Sequence, residues 1–477
     1  MERESWKTRI GFILAAVGSA VGLGNLWRFP WMTGENGGAA FLLVYLGVVL
    51  LVGVPGLLAE FVIGRGARRN PVGALSELSD SSSWSAFGHL FVVSAVVLLS
   101  FYSVVGGWIL RYFFGSITGA YFGNAGTYFG AVSYGVEAVG FHLLFLAATA
   151  VIVLRGVRRG IETATKLMMP AIVVLLVALA AWGLTLDGAA AGVAFYLSPD
   201  IGYLRANFLD ILPAAAGQAL FTLSLGAGTM LTYASYLGEE RSLAADGTAI
   251  AALNTFVGVL AGLVVFPILF ALAGGAGSGG PGALFVSLAG AFATLPYGQV
   301  VGVLFFGVVA LAALSSSISM LEIPVSFLVD EYGVSRRAAV GGLVSLFAVT
   351  GSALALEPAA FGFVAGTLVN LLLTGGLVGF MLFAGWVLGA DAVDELRRGA
   401  GPLARSLSTP WLYAVGVVLP VFLIFTFVSG LAAALGIAVG PLSLLGVTLD
   451  HTRVLVIITV GVAIVAFLGL RRSRSVL

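Results

Sequence analysis

The chain has 477 residues, of which 60% are hydrophobic and only 9% charged, with a net charge of +1. So little charge cannot cover a soluble surface, which places the chain in a lipid bilayer, and the near-zero net charge gives no reason to expect nucleic acid as a partner. Cysteine is absent, which excludes disulfides and thiolate chemistry, and His89, His142 and His451 share no metal-ligand spacing.

A helix needs roughly 20 apolar residues to cross the hydrocarbon core. About twelve segments qualify. The first begins near Ile10 and runs into Trp27, Arg28 and Pro30 with no small-residue cleavage pattern, so it reads as a span and not as a signal peptide. The others begin near Phe41, Leu90, Val139, Thr163, Leu212, Ala249, Gln299, Val340, Phe361, Trp411 and Val454. Loops are expected at 274–281 and 391–410, and nothing resembles a soluble domain. The expectation is an all-α polytopic membrane protein, a single domain over 1–477.

Positive charge sets the orientation. Arg3, Lys7 and Arg9 precede span 1, and Arg65, Arg68 and Arg69 follow span 2. Arg155, Arg158, Arg159 and Lys166 lie between spans 4 and 5, and Arg241 follows span 6. Arg336 and Arg337 separate spans 8 and 9; Arg397, Arg398 and Arg405 separate spans 10 and 11; Arg471, Arg472 and Arg474 close the chain. These are nineteen of the 23 Lys and Arg, and all fall on one side of a twelve-span topology. Both termini are therefore expected in the cytoplasm, with the protein in the cell membrane.

Two spans carry sequences that weaken a helix in its middle. Residues 18–25 read GSAVGLGN, with three glycines before an Asn, and residues 221–228 read FTLSLGAG. Small residues also serve close helix packing in membranes, so either segment alone is open to that reading. Two such segments five spans apart, each joining Gly to hydroxyl or amide side chains, favour broken helices at matching positions of two halves, which point to a transporter's central site. Unwound backbone at this depth persists only where protein or a cavity satisfies it. Past such a break, free N–H groups suit a carboxylate. Before it, exposed carbonyls suit a small hard cation such as Na⁺. Asn25, Thr222, Ser224 and Asn254 add neutral oxygens at the same depth.

With these motifs assembled, the chain resembles the neurotransmitter:sodium symporter family, in its bacterial and archaeal amino-acid branch. Residues 20–30 (AVGLGNLWRFP), preceded by Trp6 and Arg9, look like the family's first helix. Further family motifs are resembled by 35–38 (ENGG), 217–226 (GQALFTLSLG), 232–236 (TYASY), 314–318 (LSSSI) and 327–331 (FLVDE), in order through span 10. The resemblance implies two inverted five-helix repeats, 10–186 and 211–388, and two further helices over 410–470. It implies sodium-coupled symport of amino acids by alternating access, and no enzymatic reaction.

The site residues follow from the same resemblance. A first sodium would meet the Ala20 carbonyl, Asn25, Thr222, Asn254 and the substrate carboxylate. A second would meet the carbonyls of Gly18, Val21 and Ala312 with the hydroxyls of Ser315 and Ser316. The substrate carboxylate would also meet the Leu23 and Gly24 N–H groups and the Tyr102 hydroxyl, its amino group the carbonyls of Ala20, Phe221 and Thr222. Leu98, Val105, Phe221, Ser224, Ala227, Ser316 and Met320 would line the side-chain pocket. Gly22 stands where monoamine carriers have Asp, which leaves room for an amino acid's own carboxylate. Ala227 stands where a bulky residue is common, which suggests large apolar or aromatic substrates.

Arg28 and Phe221 match the outer gate, and Arg3, Trp6, Tyr236 and Asp330 the inner one. Gly362 stands where members often place an acidic partner for Arg28, and Glu357 is the neighbouring carboxylate. For chloride, Tyr45 and Gln218 fit the family's anion site, but Gly258 brings neither hydroxyl nor carboxylate. Bland readings stand beside these: Ser315, Ser316 and Ser317 as packing serines, Tyr102 as an interface aromatic, Glu60 and Arg111 as paired structural charges. A membrane hydrolase lacks its nucleophile and base, and a channel has no use for two broken helices. A sensor of the same fold that binds without flux stays open as the alternative function. The particular amino acid, proton coupling and oligomeric state are not fixed by the sequence.

Overall fold

The computed structural model describes residues 5–79, 81–276, 282, 284–435, 442–444, 447–449, 459–461 and 464. Among them, nine helices are long and apolar enough to cross a bilayer, ten when a bent N-terminal pair counts as one span. That pair is α1 (Arg9–Ala20) and α2 (Gly24–Glu35); α3 (Ala39–Ala67), α4 (Ser82–Thr118), α5 (Val136–Val153) and α6 (Val157–Gly183) follow. The sixth span is α7 (Ile201–Thr222) with α8 (Thr229–Ala234). Next come α9 (Leu243–Ala273), α10 (Gly298–Tyr332), α11 (Arg336–Leu356), α12 (Pro358–Leu388) and α13 (Pro402–Ala432). The twelfth expected span, from Val454, lies almost wholly outside the described residues, as do Arg3, Arg453 and the three C-terminal arginines. Beyond α13 a short ladder pairs Leu442–Leu444 with Val447–Leu449, Leu442 opposite Leu449.

Helices form here because each satisfies its own backbone where no water can. Several start on a side-chain acceptor: Thr8 Oγ1 accepts the Gly11 N–H (3.0 Å), and Asp200 Oδ1 accepts that of Tyr203 (2.9 Å). Hydropathy does not tell centre from rim, but burial does. The apolar windows of α4 and α10 are 72% and 67% buried, against 33–39% for α5, α6, α11 and α13. The two central helices pack along one another, and α1 leans on α6, α9 and α10. Rim residues such as Leu50, Leu51, Leu167, Val174 and Val349 turn outward, as a lipid-facing surface requires.

The segment 391–410, expected as a loop, is largely helical: Ala390–Arg397 forms a short helix and α13 starts at Pro402. Its fold is fixed by the buried Arg65 of α3, which pairs with Glu395 and also donates to the Arg241 carbonyl. Glu60 and Arg111 are not partners of each other. Arg111 pairs with Glu137, and Glu60 serves the broken sixth span.

Candidate functional site

Both weak segments are broken. Val21 leaves the helical region (φ −78°, ψ 93°) and α1 meets α2 at a 46° bend. The Gly22 carbonyl accepts the N–H groups of Asn25 (3.1 Å) and Leu26 (3.2 Å), which starts α2. In the sixth span, Ser224, Gly226 and Gly228 all have positive φ, at 54°, 80° and 76°. Gly226 is obligatory for a second reason: a Cβ there would lie 1.9 Å from the Leu373 carbonyl of α12. Glu60, buried in α3, satisfies the freed backbone, accepting the N–H of Gly226 at 2.7 Å and of Leu231 at 3.2 Å. This carboxylate at membrane depth has a structural partner in the break itself.

Oxygens converge at two points beside the breaks. At the first, Thr222 Oγ1 donates to Asn25 Oδ1 (2.8 Å), and Asn25 Nδ2 donates to the carbonyl (2.9 Å) and Oδ1 (3.1 Å) of Asn254. The Asn254 amide can also turn so that its nitrogen donates to the Ala20 carbonyl (3.2 Å) and the Thr222 carbonyl (3.3 Å). At the second, Ser315 Oγ lies 2.6 Å from the Gly18 carbonyl, 2.9 Å from that of Ala312 and 3.3 Å from that of Val21. Ser316 Oγ joins from the side, 3.4 Å from the Gly18 carbonyl and 2.8 Å from that of Ser19. All of these side chains are buried and none is charged.

Between the breaks lies a cavity lined by Ala20, Gly22, Gly24, Leu98, Tyr102, Phe221, Ser224, Ala227, Ser316 and Met320, all expected from the sequence. Ser19, Thr229 and Leu373 line it too and were not anticipated. Val105 is buried but is not among the lining residues. The Leu23 N–H donates to the Tyr102 hydroxyl (3.1 Å), so the group expected to meet a carboxylate and the hydroxyl beside it sit together. Gly22 faces both Tyr102 and Ser316: a Cβ would approach their hydroxyl oxygens to 2.6 Å and 2.1 Å.

Above the cavity, the Arg28 guanidinium lies 5.2 Å from the centre of the Phe221 ring. It donates to the Gly217 carbonyl (3.0 Å), Gln218 Oε1 (3.4 Å) and Asn370 Oδ1 (3.3 Å). The partner on α12 is therefore Asn370 and not a carboxylate. Glu357 is exposed where α12 begins, and a Cβ on Gly362 would have nothing within 4 Å. Below, Trp6 Nε1 donates to the Tyr233 carbonyl (2.9 Å), and the Tyr236 hydroxyl donates to Glu322 (2.9 Å). Glu322, buried in α10, also pairs with Arg336. Asp330 accepts the Asn70 N–H at 3.2 Å. Sequence reasoning missed Asn370, Glu322 and Arg336, although a carboxylate inside an apolar span is a signal in itself. Near the first oxygen cluster, Gln218 Nε2 donates to the Gly24 carbonyl (2.7 Å), and the buried Tyr45 hydroxyl lies beside the hydroxyls of Thr222 and Thr255.

Two broken helices meeting around a central cavity define a secondary-transporter fold. The chain matches the sodium:neurotransmitter symporter family over residues 3–124 and 130–377, and it belongs to that family. It is 33% identical over 441 residues to the sodium-dependent transporter YhdH of Bacillus subtilis, covering 89% of this chain and 97% of that one. A sodium-dependent transporter of Methanocaldococcus jannaschii is 34% identical over 452 residues, 89% of each chain. The bovine sodium-dependent dopamine transporter is 27% identical over 494 residues, 90% of this chain and 69% of that one. Among solved structures, MhsT in complex with L-phenylalanine superposes with a TM-score of 0.80 at 38% identity, covering 90% of this chain and all of MhsT. The chain is thus a multi-pass membrane protein of a sodium-dependent transporter family.

Proposed function

We propose that this chain is a sodium-coupled amino-acid symporter that works by alternating access, with two sodium ions per cycle. The observation that carries the reading is the convergence of uncharged oxygens at the α1–α2 break. With its oxygen inward, Asn254 Oδ1 accepts from Asn25 Nδ2 and also faces three further acceptors, Asn25 Oδ1 at 3.2 Å and the carbonyls of Ala20 (3.2 Å) and Thr222 (3.3 Å), a crowding of oxygens that a cation among them would relieve. A sodium ion fits that chemistry, and a substrate carboxylate held by the Leu23 and Gly24 N–H groups and Tyr102 would complete its shell. The Ser315 cluster, with the carbonyls of Gly18, Val21 and Ala312, would hold the second ion.

Gly22 supports an amino acid as substrate, since the chain brings no carboxylate of its own beside Tyr102 and Ser316 and the substrate would supply one. Ala227 on the cavity wall supports a large apolar or aromatic side chain, and the likeness to a structure holding L-phenylalanine agrees with that. In this reading 10–186 and 211–388 are the inverted repeats, 410–470 adds two helices, and both termini face the cytoplasm of a cell-membrane protein.

The test is uptake of labelled phenylalanine and leucine into proteoliposomes under an inward sodium gradient. Uptake that collapses with the gradient supports symport. Sodium-dependent binding without uptake would instead make the chain a sensor. Replacing chloride with gluconate in the same assay reads whether the Tyr45 and Thr255 hydroxyls serve an anion.

A further inference from the structure

We propose that Leu373 of α12 is a specificity-determining residue for the substrate side chain, held in position by the Asn370–Arg28 contact one turn away. The inference rests on the amino-acid reading above and adds to it a wall that none of the expected pocket residues supplies. Leu373 is buried and lines the same cavity as Ala227 and Phe221. With only a methyl at 227, the cavity is bounded on that side by α12.

The backbone of α12 is pressed directly onto the break in the sixth span. A Cβ on Gly226 would meet the Leu373 carbonyl at 1.9 Å, and one on Gly376 would meet the Gly226 carbonyl at 2.0 Å. Two glycines facing each other leave no slack, so the Leu373 side chain projects from a surface that cannot shift without moving the break. Asn370 lies one helical turn before it on the same face and accepts from Arg28 at 3.3 Å. That contact ties this stretch of α12 to the helix that caps the cavity. Substrate length should therefore be read against a fixed leucine, and loosening Asn370 should blur the reading.

The experiment is competition binding to the full-length protein in sodium buffer. Glycine, alanine, leucine, phenylalanine and tryptophan compete against labelled phenylalanine. Leu373→Phe should shift preference toward the smaller competitors by about ten-fold or more, the scale on which apolar pockets discriminate. Leu373→Ala should shift it toward tryptophan. Asn370→Ala should narrow the spread across the series without favouring either end. An unchanged rank order in both Leu373 variants overturns the proposal while leaving the transporter reading intact. A parent-like spread in Asn370→Ala overturns the positioning role. Absence of sodium-dependent amino-acid binding by the parent overturns both readings together.

Discussion

Replacing Asn25 with Ala tests the first oxygen cluster most directly. The side chain is fully buried and takes part in three hydrogen bonds, one from Thr222 and two to Asn254. Truncation removes an oxygen from the cluster and leaves the Thr222 hydroxyl and the Asn254 amide short of partners. Losing a ligand or hydrogen bond to a charged group costs about 1.5–3 kcal/mol, roughly ten- to a hundred-fold in sodium affinity. In the parent, sodium at about 100 times its Kd stabilises the fold by about 2.7 kcal/mol. A hundred-fold weaker site at the same concentration retains about 0.4 kcal/mol. A ten-fold weaker site retains about 1.4 kcal/mol, so the sodium-induced rise in melting temperature should shrink to between roughly one half and one sixth. The assay is thermal unfolding in detergent across a sodium series, with choline as the control, followed by amino-acid binding in sodium. If Asn25→Ala keeps the parent's sodium-induced shift and amino-acid affinity, the first site is misplaced.

In the proposed site sodium and substrate share the carboxylate, so each should tighten the other by the same factor; equal amino-acid affinity in sodium and in choline would refute this. Ser315→Ala removes the hydroxyl that three carbonyls surround, and should weaken sodium dependence of uptake about ten-fold or more while the amino-acid rank order holds. Ala227→Phe should shift the rank order in competition binding from tryptophan and leucine toward alanine and glycine, by overpacking the cavity wall. Glu322→Gln replaces a buried carboxylate with a neutral amide and weakens the tie to the half-buried Arg336, so the cytoplasmic end of the cavity should open more readily. The measurement is alkylation of a cysteine introduced at Ser19, in a chain with no other cysteine, by a reagent added from the cytoplasmic side. An unchanged rate would refute a gating role for Glu322.

Much of the fold and of the site was legible because bilayer physics leaves few solutions. Runs of apolar residues located the spans, and glycine with amide or hydroxyl neighbours located both breaks. What stayed hidden depended on registers between helices distant in sequence. The surroundings of Arg28 show this: the resemblance directed attention to Gly362, while the side chain of α12 that reaches Arg28 is Asn370, about two turns further along the helix. Nothing in the local pattern of α12 distinguishes which polar group faces inward. Leu373 was hidden for the opposite reason, since a leucine in an apolar span carries no signal until a cavity is found beside it. The helical content of 391–410 was missed because Arg65, which organises it, sits more than three hundred residues earlier.

The neutrality of the groups around Arg28 bears on what the proposed site would admit. A guanidinium at membrane depth is costly unless its charge is met, and here, among the described residues, the groups that accept from Arg28 are the Gly217 carbonyl, Gln218 and Asn370, all uncharged. Its positive field therefore reaches toward Phe221 and the cavity beneath with less cancellation than a carboxylate partner would provide. The same field disfavours a cationic side chain in the cavity and tolerates the carboxylate end of a zwitterion. Asn370→Asp would cancel much of it, and should raise the affinity of lysine relative to leucine in sodium-dependent competition binding. The shift should be larger at low ionic strength to the extent that water reaches the gate, and nearly salt-independent if the gate is dry. An unaltered lysine-to-leucine ratio would mean that the Arg28 charge does not reach the substrate, and that the gate discriminates by shape alone.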